Sequence, residues 1–253
     1  MFLFPKLFIT ILFLFSVAVS ASAENTATQQ PAVTIAINHA DGGKTSSRHV
    51  GRLLAVLDEG GCKVSLSDDS SLHSAQLVFD PGPVSVVMKQ RPDYQLIARA
   101  RTLDGELTVR GAIVVHASTG ITDLATLRNE WISFVSKESW SGYRLPLQLL
   151  QGAGIDETTN AFYFVGNHIG VVSALLHNDV HVAVSAEPLV KRWAEQNNIS
   201  IVALTAEVET GGWWMQRSVA TNLTRDCARA VMKLNDSNQK ALPAWIGDFV
   251  SPE

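Results

Sequence analysis

Residues 131–151 read WISFV (131–135), SKESWSGYR (136–144) and LPLQLLQ (145–151). The first block is a short apolar run that fits a buried strand, and the last block fits a helix. The middle block is therefore a loop that leaves a strand and opens a helix. The same rhythm continues downstream. Phe162–Val165 reads as a strand, Ile169–Leu176 as a helix, Val182–Ser185 as a strand, Pro188–Gln196 as a helix and Ile199–Leu204 as a strand. Upstream, Val33–Asn38 reads as a buried strand, followed by a glycine turn at 41–43 and a Ser-capped helix over about Ser46–Asp58. Short apolar runs follow at Lys63–Leu66, Gln76–Phe79, Leu96–Ala100 and Gly111–Val115, and the chain from Thr224 reads as helical with a break at Pro243. Strands alternating with helices of about 10 residues predict an α/β fold whose sheet is covered on both faces.

The chain has 253 residues and a formal net charge of −4, one unit more negative once Lys6 is removed with the N-terminus. That balance lacks the basic footprint of a nucleic-acid binder, so no nucleic-acid partner is expected. Lys6 precedes an apolar run, Leu7–Val19, and then Ala21-Ser22-Ala23, the small residues a signal peptidase accepts. The run is too short to span a bilayer, and no basic stop-transfer patch follows. Residues 1–23 therefore read as a signal peptide cut after Ala23, leaving an exported chain of about 230 residues. Its two cysteines, Cys62 and Cys227, lie 165 residues apart. In an oxidising compartment they can pair, or each can serve as a small buried apolar side chain; spacing leaves both open.

The loop SKESWSGYR carries the strongest chemical signal. Amides at the start of a helix lack intrahelical acceptors and attract anions. Ser139 and Ser141 add hydroxyl donors, and Gly142 admits close backbone approach. The same residues also fit a ligand-free helix cap. A nucleophile elbow needs G-x-S-x-G, yet Ser141 is flanked by Ser139 and Tyr143, and Ser139 by Lys137 and Ser141. No hydrolase, and no enzyme of this kind, is expected. Gly43-Lys44-Thr45 resembles the end of a P-loop, but position 38 is Asn rather than Gly. None of the seven His forms a metal-ligand pair, so neither metal nor cofactor is expected. His168 stands apart: in Gly166-Asn167-His168, between a strand and a helix, Asn167 can cap and His168 falls in the first turn, facing the same mouth as the serine loop.

The order of these motifs resembles the second lobe of periplasmic phosphonate/phosphite-type substrate-binding proteins of ABC importers. The resemblance rests on Ile121–Leu127, Ser139-Trp140-Ser141-Gly142 with Pro146, Gln151–Ile155, Gly166-Asn167-His168 and Ser173-Ala174-Leu175. Phe79-Asp80-Pro81-Gly82-Pro83 resembles the first-lobe turn of that family, and Val109-Arg110-Gly111 its crossing strand. The resemblance implies a two-lobed type 2 periplasmic binding fold, each lobe a mixed sheet flanked by helices and joined by a two-stranded hinge. Lobe 1 would take 24–110 plus 206–253 and lobe 2 would take 111–205. It further implies a monomer that captures a small anionic ligand of phosphonate, phosphite or phosphate type for an inner-membrane ABC permease. The alternative is a periplasmic sensor or adaptor built on the same fold. The implied ligand contacts are Ser139, Trp140 (where Thr is usual), Ser141, Gly142, Tyr143 and His168. The family's first-lobe Tyr positions hold Val84–Val86 and Val109 here, and an Asp usual before the Val182 strand is His181.

Overall fold

The computed structural model describes residues 32–42, 46–67 and 72–252. The signal peptide over 1–23 and the Gly43-Lys44-Thr45 turn lie outside the described residues. Two mixed sheets organise the rest. The first contains β1 (Val33–Ile37), β2 (Val64–Leu66), β3 (Leu77–Asp80), β4 (Tyr94–Thr102), β12 (Gly212–Gln216) and β13 (Ile246–Val250), in the order β13-β4-β12-β3-β1-β2. The second contains β6 (Gly111–His116), β7 (Trp131–Phe134), β8 (Ala161–Phe164), β9 (Val182–Ala186) and β10 (Ile199–Leu204), in the order β10-β6-β9-β7-β8. Between them, β5 (Thr108–Val109) pairs antiparallel with β11 (Val208–Glu209).

Both central strands of the second sheet are apolar at every position but one because both faces are covered. In β6, Ala112 and Val114 face one core while Ile113 and Val115 face the other; β9 sends Ala183 to the first and Val182 and Val184 to the second. Helices α3 (Leu145–Gly152), α4 (His168–Leu176) and α5 (Glu187–Asn197) supply these covers. In the first sheet, Phe79, Trp213 and Phe249 form a ring cluster, with Phe79 centroids 5.3 Å from Trp213 and 6.2 Å from Phe249. Helices α1 (Ser47–Glu59) and α6 (Thr221–Val231) pack against each other beside this core. Ser46 caps α1 by accepting the His49 amide, as its position predicts.

Cys62 and Cys227 are bonded, with their Cα atoms 4.5 Å apart, and tie the end of α1 to α6. The structure thus selects the bridge from the two readings the spacing left open.

In and around the first sheet, four elements depart from the sequence reading. The stretch from Thr224 is not helical to Pro243: α6 stops at Val231, and the Asn235 carboxamide accepts the Ser237 amide while Asn238 accepts that of Asn235. These local turns compete with a helix for the same backbone groups. The strands β12 and β13 follow no local alternation, because they are specified by partners far away in sequence, β12 lying between β3 and β4. Helix α2 (Val84–Gln90) directly follows the Gly82-Pro83 turn that the sequence reading marked only as a turn.

Candidate functional site

The loop after β7 closes into a single π-helical turn, Trp140–Arg144, that runs into α3. Its widened turn places the Arg144 amide on the Ser139 carbonyl at 2.9 Å. Ser139 Oγ accepts the Gly142 amide at 2.8 Å, so part of its function is the cap. A Cβ on Gly142 would stand 2.4 Å from Val135 Cγ2 and 2.7 Å from Ser139 Oγ. The close approach that this glycine permits is therefore to its own strand and cap. Gly111 performs the matching service from β6: a Cβ there would stand 2.4 Å from the Ser141 carbonyl. The Tyr143 ring packs edge-on to Phe134 at 5.1 Å and Phe164 at 5.2 Å. Trp140 is half-buried, with the Arg144 guanidinium 5.2 Å from its ring centre, and its indole faces Gly82 of the first sheet. Ser141 is buried, and its hydroxyl has no partner.

His168 opens α4 behind its cap, Asn167, whose side chain accepts the Gly170 amide at 2.7 Å. The imidazole Nδ1 accepts the Ala186 amide at 3.1 Å and lies 3.0 Å from Ser185 Oγ. An amide can only donate, so Nδ1 carries a lone pair and the neutral ring holds its proton on Nε2. That Nε2–H is buried without a hydrogen-bond partner. It faces Asp41 Oδ1 at 3.7 Å, and that oxygen has no partner either. The other Asp41 oxygen accepts the Trp245 indole at 3.3 Å.

The Ala40-Asp41 turn, which follows β1, reaches both segments of the second sheet. Ser136 Oγ donates to the Ala40 carbonyl at 2.6 Å, while Asp41 meets His168. Asp41 also lines two cavities. One, of about 530 Å³, is lined by Asp41, His49, His168, Arg192 and Lys240; the other, of about 260 Å³, is lined by Asp41, Asp80, Gly82, Glu138, Trp140 and Arg144. Asp80 is committed elsewhere: it accepts the Gly82 amide at 2.9 Å and lies 3.7 Å from the Arg91 guanidinium.

Sequence reading missed Ser136, Asp41 and Ser185. Asp41 and Ser136 both sit just past strand ends, where α/β sheets gather ligands, and Ser185 lies on the last residues of β9. That position was the available signal. His181, in place of the family's Asp, is exposed; it pairs with half-buried Glu130 and stacks on Trp131 at 6.0 Å. Among the described residues no group of three or more His, Cys, Asp and Glu is placed to hold a metal. Among the same residues no helix is long and apolar enough to cross a membrane.

Two mixed sheets flanked by helices, joined by a two-stranded crossing and holding polar loop ends between them, define a type 2 periplasmic binding protein. The chain belongs to the family of periplasmic substrate-binding proteins of phosphonate ABC transporters, whose pattern matches residues 73–252. Solved structures share the fold. PhnD1 from Prochlorococcus marinus, in complex with methylphosphonate, aligns with a TM-score of 0.65 at 15% identity, covering 88% of this chain and 93% of that one. A binding-protein component of an ABC phosphonate transporter from Pseudomonas aeruginosa gives 0.62 at 12% identity, covering 88% and 82%. A Xanthomonas citri protein bound to ATP gives 0.56 at 15% identity, covering 88% and 91%. The family is one of solute-binding transporter components, so the sensor or adaptor alternative is not favoured.

Proposed function

We propose that the cleft between the two sheets captures a small oxyanion of phosphonate, phosphite or phosphate type and delivers it to an inner-membrane ABC permease. In this reading the chain is exported by its N-terminal signal, works as a monomer and turns nothing over. The observation that carries it is a pair of buried donors without acceptors, Ser141 Oγ and His168 Nε2. A buried hydroxyl or imidazole left unpaired costs about 1–3 kcal/mol, which a ligand accepting both would recover. Both donors belong to segments at helix starts, where free amides and aligned peptide dipoles favour negative charge. Ser139, Trp140, Gly142 and Tyr143 then build and hold the turn that presents Ser141, with Trp140 as the wall toward Gly82.

In this reading the described residues of 24–110 and 206–253 make up one lobe and 111–205 the other, closing about the β5–β11 crossing. Thr205 Oγ1 accepts the Gly111 amide at 2.9 Å, and Arg110 pairs with Glu207, so the two chain crossings are cross-linked where the lobes would swing.

Calorimetry with phosphate, phosphite and methylphosphonate tests the proposal. Ser141→Ala should weaken binding of the best of the three about five- to a hundredfold, while the melting temperature of the free protein holds or rises, since the unpaired hydroxyl is removed. His168→Ala should weaken binding too, but it also strips Ser185 and the Ala186 amide of a partner, so its melting temperature should fall. Unchanged affinity in Ser141→Ala, or no binding of any of the three by the unaltered protein, would reject the reading.

A further inference from the structure

Resting on the oxyanion reading above, we infer that Asp41 makes the site selective for oxyanions that carry a proton. Asp41 is 3% exposed and sits in the turn after β1, across from the serine loop and α4. One carboxylate oxygen is held by the Trp245 indole, which fixes the group's orientation. The other, Oδ1, is buried, unpartnered and beside the equally unpartnered Nε2–H of His168.

The separation of these two atoms is informative. At 3.7 Å they do not hydrogen-bond each other, although one is a donor and the other an acceptor. Both residues line the cavity of about 530 Å³, and the spacing of the two atoms lets each reach a different oxygen of one tetrahedral ion that enters it. His168 Nε2–H would donate to a bare oxygen. Asp41 Oδ1 can only accept, so the oxygen it meets must bring a hydrogen. A P–OH group meets that demand. A fully deprotonated oxygen would instead press lone pairs and like charge against a buried carboxylate, a juxtaposition that weakens binding.

Asp80, the other carboxylate on this wall, is placed differently: one oxygen accepts the Gly82 amide, and the Arg91 guanidinium 3.7 Å from the other offsets its charge. Of the two carboxylates, only Asp41 has a buried oxygen without a hydrogen-bond partner. The first-lobe wall thus selects by an acceptor, where the second-lobe cradle supplies donors. The selected class is the monoprotonated phosphonate, phosphite or phosphate, and the rejected class is the sulfonate or sulfate.

Methylphosphonate and methanesulfonate separate these classes cleanly. Both are tetrahedral with one methyl group, and at a pH where methylphosphonate is a monoanion both carry one charge; only the phosphonate has an O–H. The unaltered protein should bind methylphosphonate at least about a hundredfold more tightly in calorimetry. Asp41→Asn keeps an acceptor for Trp245 and turns an amide donor toward the ligand, so the gap should shrink to within about tenfold, with methanesulfonate gaining affinity. Asp41→Ser serves the same purpose should the Asn variant not fold, and should narrow the gap as well. Equal binding of the two ions by the unaltered protein overturns the inference and leaves the oxyanion reading standing. So does a gap of unchanged size in a folded Asp41 variant. If neither ion binds but phosphate does, hydrogenphosphate against sulfate makes the same comparison; failure of the unaltered protein to bind any of these ions or phosphite overturns both.

Discussion

The second sheet is built from one continuous segment, 111–204, whereas the first draws its strands from 33–102 and again from 212–250. The continuous half gathers its neighbours by short strand–turn–helix steps, and each step carries its own local cues. The discontinuous half must close a long loop before β12 can lie between β3 and β4, and loop closure costs entropy that local contacts do not repay. A covalent bridge between α1 and α6 stands in that half, and among the described residues none stands in the other. The difference suggests that the two halves hold their structure by different means, and it can be tested.

The largest effect should come from the bridge. Cys62→Ala with Cys227→Ala removes a constraint on a loop of 165 residues and should destabilise the protein by about 2–5 kcal/mol, lowering the melting temperature by about 5–15 °C. Hydrogen exchange gives the sharper reading. Protection should fall in β1, β12 and β13 while β6 and β9 keep theirs. Equal loss in both sheets would mean that the halves unfold as one unit, and the contrast drawn above would fail. Leu189 of α5 and Ala186 do pack into the core of the first sheet, so some coupling is built in.

The same contrast explains what could be read from residues alone. In the continuous half, every strand and α-helix from Trp131 to Leu204 was legible, because burial on both faces imposes apolar runs and the loops carry their own caps; the π-helical turn Trp140–Arg144, read as a loop, was not. Asn167 caps α4 where the residue order places it. In the other half, β12 is WWM preceded by two glycines and followed by Gln216, and nothing local says whether such a run is a strand. It becomes one because Gly212 lets its backbone lie against Ala98, where a Cβ would stand 2.1 Å from the carbonyl. The candidate site divides along the same line. Its donors, Ser141 and His168, come from the legible half. Asp41 is an ordinary turn aspartate until a tertiary contact brings it to His168, and no local pattern encodes that distance. Likewise Gly142 reads as room for a ligand, but the room is filled by Val135 and Ser139.

Within the legible half, Gly142→Ala should test how tightly the cradle is built. The added Cβ meets Val135 at 2.4 Å, and forcing it in should cost about 1–3 kcal/mol of stability and displace Ser141, so affinity should fall with it. Gly152, at the end of α3, has nothing within 4 Å of an added Cβ. Gly152→Ala should be neutral or stabilise by up to about 1 kcal/mol in urea titrations. If Gly142→Ala is as benign as Gly152→Ala, the π-helical turn is looser than its packing implies.

The smallest effect belongs to the seam between the halves. Glu209, on β11, accepts the Ser85 amide at 3.0 Å and so caps the first turn of α2, for which Pro83 provides no side-chain cap. That backbone hydrogen bond, together with one from the Ser85 side chain, holds the Glu209 carboxyl below its ordinary value of 4.5. The sign follows from linkage. A group whose folded value is depressed favours the folded state while it is ionised in both states, and this stabilisation disappears as pH falls from the ordinary value through the folded one. Glu209→Gln keeps an acceptor for the amide but removes the charge. Because the group is half-exposed, the variant should be less stable than the unaltered protein by no more than about 1 kcal/mol near neutral pH. The difference should close as urea titrations are taken down through the ordinary glutamate range and below. Glu207 is also depressed, by its bond and charge contact with Arg110, but it titrates in both proteins and cancels from the comparison. A gap that persists unchanged into acid would show that the carboxamide disrupts packing at β11, and that the charge of Glu209 does not anchor α2 to the crossing.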